Sequence, residues 1–342
     1  MKKIFTLLAL TITFSMNAQV STENTSPTGI YASAMGNGTT ASGNESTAMG
    51  YDTTASGEAS TAMGYSTTAS TQASTAMGRE TTASGNYSTA MGYSTTASGW
   101  YSTAMGEGTS ASGSRSTAMG GYTTASGSRS TAMGNSTTAS GSRSTAMGWS
   151  TTASGVGSTA MGYNTTASDY ASTVIGQYNS SGSSVTNNAT SFNTANTAFV
   201  IGNGTNSSNK SDAFKVMFNG DTTVSNDLTV SGDVVISSDA RLKSNIVSLG
   251  STLPKLLQID GKSYEMKGKQ KIGVLAQEIQ EVFPELVSED DNEMLAVNYQ
   301  GLVPVLINAL KEQDAKMKEQ ETKYMEQEQR LERLERLVAN MD

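Results

Sequence analysis

Ser46-Thr47-Ala48-Met49-Gly50-Tyr51-Asp52-Thr53-Thr54-Ala55-Ser56-Gly57-Glu58-Ala59 is followed at once by Ser60-Thr61-Ala62-Met63-Gly64, the same opening again. The unit is 14 residues long. Its methionines keep the beat from Met35 and Met49 through Met63, Met77, Met91, Met105, Met119, Met133 and Met147 to Met161, and Ile175 takes the next position. A fixed internal period decides architecture before any other feature. Fourteen is close to a multiple of both the strand and the helix repeat, so the contents must choose. Both five-residue blocks end in Gly, and Ser and Thr are poor helix formers. Each unit therefore predicts two short strands and two tight corners, one coil of a β-roll. Low-complexity disorder would give the same composition bias without the phase.

Within Ser46-Thr47-Ala48-Met49-Gly50, alternation puts Thr47 and Met49 on one face and Ser46 and Ala48 on the other. The methionines are expected to stack into an apolar ladder with flexible thioethers filling gaps. The small Ala/Ser/Gly faces are expected to allow several rolls to pack closely, so the fibre should be oligomeric. At the strand spacing of ~4.8 Å, the eleven beats from Met35 to Ile175 would span roughly 50 Å.

The variable dipeptides between blocks carry nearly all the chemistry of this region. Trp100, Tyr101, Arg115, Arg129, Arg143 and Trp149 lie there, and are candidates for contact with a surface or matrix ligand, because aromatics and arginine dominate binding surfaces. The three arginines are one coil apart and should form a short column. Thr71 and Asp169 stand where the second block has Gly, so those corners should differ.

Together the blocks resemble the head repeats of YadA-type trimeric autotransporter adhesins, over about residues 30–204. Ser172-Thr173-Val174-Ile175-Gly176 is the nearest approach to that pattern, and Phe199-Val200-Ile201-Gly202 echoes it after an insertion. The resemblance implies a left-handed parallel β-roll, three of which associate, in a fibrous binding protein whose ligand it does not specify. Regular threonine rows on a flat solenoid offer a lesser alternative, an ice-binding face.

Charge divides the chain. Residues 1–237 hold 8 Lys/Arg and 11 Asp/Glu, against 14 and 19 in the much shorter stretch 238–342. The net charge of −8 argues against a nucleic-acid partner. With no Cys and no His, disulfides, Cys/His zinc sites and a Ser-His-Asp triad are excluded, and neither metal nor cofactor is expected. At the start, Lys2 and Lys3 precede an apolar run over residues 4–14, with Ala18 at a plausible cleavage point. That pattern reads as an export signal over 1–18, since the run is shorter than the ~20 residues of a bilayer span. The protein is thus expected at the cell surface or outside it, with no membrane span in the mature chain.

Residues 205–237 lose the period. Short apolar stretches at 213–218, 228–230 and 234–236 alternate with turn signals, Asn219-Gly220 the strongest, and predict a β-neck. Then Ser238-Asp239-Ala240-Arg241-Leu242-Lys243 opens the charged part. A serine with a lysine five residues on can form a Ser-Lys dyad, with a desolvated amine replacing histidine as base.

That motif is followed by Lys271-Ile272-Gly273-Val274-Leu275-Ala276-Gln277-Glu278, by Val297-Asn298-Tyr299-Gln300-Gly301-Leu302-Val303-Pro304, and by a long helix. The order resembles the endosialidase-type intramolecular chaperone of phage tailspikes and fibres, an autoprocessing Ser-Lys peptidase family. The resemblance implies Ser238 as nucleophile, Lys243 as general base, scission between Ser237 and Ser238, and Asp239 and Arg241 as loop-orienting residues. It implies action on the protein's own chain only; no external-substrate activity is expected. Attack on its own chain and on a neighbour's both stay open. Val303, Leu310, Met317, Tyr324, Leu331 and Val338 recur every seven residues, with Leu306, Gln313, Gln320, Gln327, Leu334 and Met341 three further on, as in a coiled coil.

The expected organisation is a signal over 1–18, head repeats over 30–204, a neck over 205–237, a small α+β chaperone over 238–305 and a trimeric coiled coil over 306–342. The expected function is an exported homotrimeric fibre or adhesin with a self-removing chaperone. A phage-like or injection-system tail fibre is the alternative.

Overall fold

A computed structural model describes residues 22–289 and 293–340. The export signal read at 1–18 and the last heptad position, Met341, lie outside the described residues. The chain divides between Gly232 and Asp233 into two compact units.

The first unit is mostly β, a solenoid of parallel strands. Each coil contributes a five-residue strand such as Thr47–Tyr51 and a two-residue strand such as Thr54–Ala55. The long strands form one sheet and the short ones a second, of 11 strands. Register follows the repeat: Met49 pairs with Met63 and Thr54 with Thr68, each 14 residues on. The corners use left-handed backbone, with φ of 54° at both Asp52 and Ala59. Gly50 ends the block because its φ is 128° and a Cβ there would lie 2.0 Å from the Gly64 carbonyl oxygen of the next coil.

The two faces fall opposite to the packing expected from composition. Ser46, Ala48, Thr53, Ala55 and their equivalents are fully buried inside each coil, whereas Thr47, Met49 and Thr54 face outward. The methionines do stack in register, but on the outer face of the long-strand sheet. Corners this tight hold the two sheets too close for a thioether, so the interior takes only side chains of alanine to threonine size. At ~0.8 kcal/mol per buried methyl-sized group, that interior adds only about 2 kcal/mol per coil. Hydrogen bonding between coils must carry much of the stacking. Each Thr-Thr pair also splits, its first member inside and its second outside.

The short-strand sheet ends at Thr166–Ala167. There the Asn179 side chain stands in for the missing strand: its Oδ1 accepts from Thr166 N–H at 2.8 Å and its Nδ2 donates to Thr166 O at 2.8 Å. The insertion that follows is pinned by Asp169, one of the two non-glycine corners. Its buried carboxylate accepts from the N–H of Thr186 at 2.7 Å and of Thr197 at 2.8 Å. At the other, the Thr71 N–H donates to Ser74 Oγ at 3.2 Å. Beyond the insertion, Thr197–Asn203 rejoins the long-strand sheet in parallel, Ile201 opposite Ile175. The sheet then turns antiparallel through Asp212–Met217 and Thr222–Val224, joined by a turn at Asn219-Gly220, as its sequence predicts. The stretches 228–230 and 234–236 form no strand and expose Leu228, Val230, Val234, Val235 and Ile236.

The second unit is small. Ile279, Phe283 and Val305 form its core, with Leu256, Ile259, Val274 and Leu286 packed against them. Two antiparallel hairpins, Lys262–Met266 with Lys269–Gly273 and Val287–Glu289 with Leu295–Val297, flank the helix Ala276–Val282. The long helix Leu302–Ala339 follows, with Pro304 tolerated in its first turn, where an N–H has no helical partner. Its start docks through Val305 and Ala309, both buried. Glu312 extends the dock: its carboxylate accepts from the Thr252 N–H at 2.5 Å and the Ser251 hydroxyl at 2.7 Å. The heptad residues Leu310, Met317, Tyr324, Leu331, Leu334 and Val338 are all exposed. Among the described residues, no helix is long and apolar enough to cross a membrane.

Candidate functional site

Ser238 and Lys243 meet across one turn of 3-10 helix, Ala240–Leu242. Asp239 builds that turn. Its side chain caps the turn by accepting from Arg241 N–H at 2.8 Å, and its carbonyl accepts from Leu242 N–H at 3.0 Å. Lys243 N–H then donates to Ala240 O at 3.1 Å. The reversal brings Lys243 Nζ to 2.7 Å from Ser238 Oγ, to which it donates.

Arg241 reaches back over the same turn. Its Nε lies 3.0 Å from Asp239 Oδ1 and its Nη2 2.7 Å from Oδ2, a two-pronged pair. The guanidinium, then the Arg241 N–H, hold the Asp239 carboxyl below the usual carboxylate range, and the pairing raises Arg241 in turn. Asp239 and Arg241 thus contact each other and the turn, while Ser238 and Lys243 contact each other. Ser237, Ser238 and Lys243 are all exposed in the single chain. The arrangement holds a hydroxyl and an amine in hydrogen-bond contact one peptide bond after Ser237.

The ligand-contact candidates of the solenoid separate onto two edges. Trp100, Tyr101, Arg115, Arg129 and Arg143 lie on the corner leading from short strand to long strand. Trp149 ends a long strand and belongs to the opposite edge, where it stacks on Tyr163 at 6.4 Å. On that edge Tyr51 and Tyr65 stack at 5.2 Å, and Arg79 lies between the rings of Tyr65 and Tyr93 at 5.6 and 5.3 Å. Tyr122 donates to Glu107 at 2.7 Å, and that bond raises its pKa. Arg79 and Glu107 were not singled out from sequence. The signal was available, since both occupy the same variable position as Tyr65 and Tyr93, in phase with the repeat. Among the described residues, no cluster of acidic side chains could hold a metal ion.

Comparison with known families agrees with this division. Seven segments spanning residues 28–179 match the YadA head domain repeat. Residues 238–288 match the family described as chaperone of endosialidase. The chain therefore carries YadA head repeats followed by an endosialidase chaperone domain, in that order. No curated protein matches it.

Proposed function

We propose that the chain is an exported, homotrimeric surface fibre of the adhesin type, whose C-terminal unit aligns three chains for folding and then cuts itself off between Ser237 and Ser238. The observation that carries this reading is the 2.7 Å contact of Lys243 Nζ with Ser238 Oγ, within the segment that matches the endosialidase chaperone.

In this reading an uncharged Lys243 amine takes the Ser238 hydroxyl proton, and Oγ attacks the Ser237 carbonyl carbon, of the same chain or of a neighbour. The Ser237–Ser238 C–N bond breaks as the Ser238 nitrogen takes a proton. Water then hydrolyses the ester left on Oγ, giving a Ser237 carboxylate and a released piece that begins at Ser238. Lysine acts as a base only after desolvation or a nearby cation has lowered its proton affinity. Both groups are exposed in one chain, so burial by neighbouring chains would link the cut to completed assembly. Asp239 and Arg241 hold the turn that makes the contact.

Exposed heptad residues on the long helix and exposed apolar residues at 228–236 support association through these segments. We place the working boundaries at 1–18 for the signal, 30–204 for the head, 205–237 for the neck, 238–305 for the chaperone and 306–342 for the coiled coil. Once the template has left, the mature fibre would be kinetically trapped. A tail fibre of a phage-like or injection particle is the second reading, favoured by the chaperone domain; Lys2, Lys3 and the apolar run after them favour export. Tagged protein at the cell surface supports the adhesin, and tagged protein in particles supports the tail fibre.

Intact mass under denaturing conditions tests the cut. Wild type should split before Ser238, while Ser238→Ala and Lys243→Ala stay whole. Lys243→Arg should also stay whole, because it keeps the charge and cannot give up its proton. An uncut wild type in a folded trimer sinks the autoprocessing step and leaves a trimerisation foot.

A further inference from the structure

We propose that the corner carrying Trp100, Tyr101, Arg115, Arg129 and Arg143 binds an acidic glycan chain laid along the solenoid axis. The proposal rests on the reading of the solenoid as an adhesive fibre, and names the class of its ligand.

Arg115, Arg129 and Arg143 occupy the same corner of three successive coils, with φ of 58°, 58° and 59°, and all three are exposed. Each is fixed to the coil before it. Arg115 N–H donates to Trp100 O at 2.7 Å, Arg129 N–H to Ser114 O at 2.8 Å, and Arg143 N–H to Ser128 O at 2.8 Å. The guanidiniums are therefore mounted on rigid rungs one strand spacing apart, ~4.8 Å. Arg115 is set further by lying over the Tyr101 ring at 5.6 Å, and Tyr101 stacks on Tyr87 at 5.0 Å.

Nothing in the fold asks for arginine there. Equivalent corners carry Glu45, Ala59, Ala73, Gly157 and Ala171. Nor does the chain neutralise the column: from Gly108 to Ser168 these three arginines are the only charged residues. Arg79, in contrast, pairs with Glu80 at 3.1 Å. Three stacked like charges repel one another, and a partner with regularly spaced anions would relieve that repulsion.

Guanidinium forks match carboxylate and sulfate two-pronged. Ser114, Ser128 and Ser142, the half-buried residues just before each arginine, put no bulky side chain next to the column. Trp100, 59% exposed, lies one coil before Arg115 and offers an aromatic face to the apolar side of a sugar ring. A nucleic acid fits less well. Its bases need successive free aromatic faces, whereas the rings of Tyr87 and Tyr101 are stacked on each other.

The test uses the purified full chain on immobilised heparin, which carries sulfates, and on hyaluronate, which carries carboxylates alone. Binding to at least one is expected, weakening with log salt at a slope of about −2 to −3, as three neutralised charges require. The triple variant R115Q/R129Q/R143Q should lose at least tenfold in affinity, and W100A several-fold. R79Q, on the opposite edge, should bind as wild type does, and circular dichroism should report every variant folded. Absence of binding to both polymers, an undiminished triple variant, or tighter binding to poly-dT would each overturn the proposal. Fibre-coated beads on cells before and after glycosaminoglycan digestion separate the two levels. Adhesion that survives digestion rejects the glycan and keeps the adhesin; no adhesion to either rejects both.

Discussion

The threonine hydroxyls inside the solenoid are the worst-placed groups in the coil. Thr39, Thr53, Thr67, Thr81, Thr95 and their successors bury Oγ1 without a hydrogen-bond partner among the described residues. The serine one corner away is paired in some coils, as where Ser46 Oγ donates to the Gly43 carbonyl at 2.6 Å, and buried unpaired in others, Ser60 and Ser88 among them. An unpaired buried hydroxyl costs about 1–3 kcal/mol, and an apolar group of the same shape avoids it. Thr95→Val should therefore stabilise the solenoid by about 1 kcal/mol, seen as slower unfolding in guanidinium. Faster unfolding would mean that the hydroxyl does make a bond, and that the threonine column holds the coils together.

At the scale of elements, the long helix is two devices in sequence. Its first turns dock onto the chaperone body through Val305, Ala309 and Glu312, and its remainder presents an exposed heptad seam. Three glutamine layers, Gln313, Gln320 and Gln327, interrupt that seam with groups that weaken it and can fix register. In the proposed trimer, Gln320→Leu should raise the temperature of dissociation, by burying ~1–2 kcal/mol of apolar surface per chain. Analytical ultracentrifugation across temperature measures this, and a lower dissociation temperature would remove Gln320 from the seam. The heptads were legible because a helix repeats locally. The dock was not, since Glu312 meets Thr252 across 60 residues.

For the whole molecule, titratable groups concentrate in the C-terminal unit. Hydrogen bonds from the Thr252 N–H and then the Ser251 hydroxyl hold the Glu312 carboxyl below the ordinary glutamate value. A depressed carboxyl contributes stability that is present above its unfolded value and fades as pH falls through the folded one. Asp239 follows the same sign through Arg241. Acidification from pH 7 to below the usual carboxylate range should therefore loosen the dock and the Ser238 turn while the solenoid persists. Hydrogen exchange around residues 251–257, corrected for intrinsic rates, should quicken first. Solenoid amides that open earlier, or together with them, would contradict this order.

The sequence by itself determined the period, the glycine corners and the heptad seam, because each depends on spacing along a few neighbouring residues; the pairing of Ser238 with Lys243 rested on the resemblance of the segment to a family, since a serine and a lysine five apart are common. Alternation also established that Thr47 and Met49 share a face. It left undecided which face points inward, since that depends on how far apart the corners hold the two sheets. Only the tertiary structure decided it, by closing a gap that admits Ala48 and Ser46 and excludes a thioether. The same holds for Asn179 closing a sheet edge 13 residues away, and for Asp169 gripping Thr197 across 28. It holds too for the division of Trp149 from the arginine column, since which corner a variable residue occupies becomes an edge only once the coils are stacked.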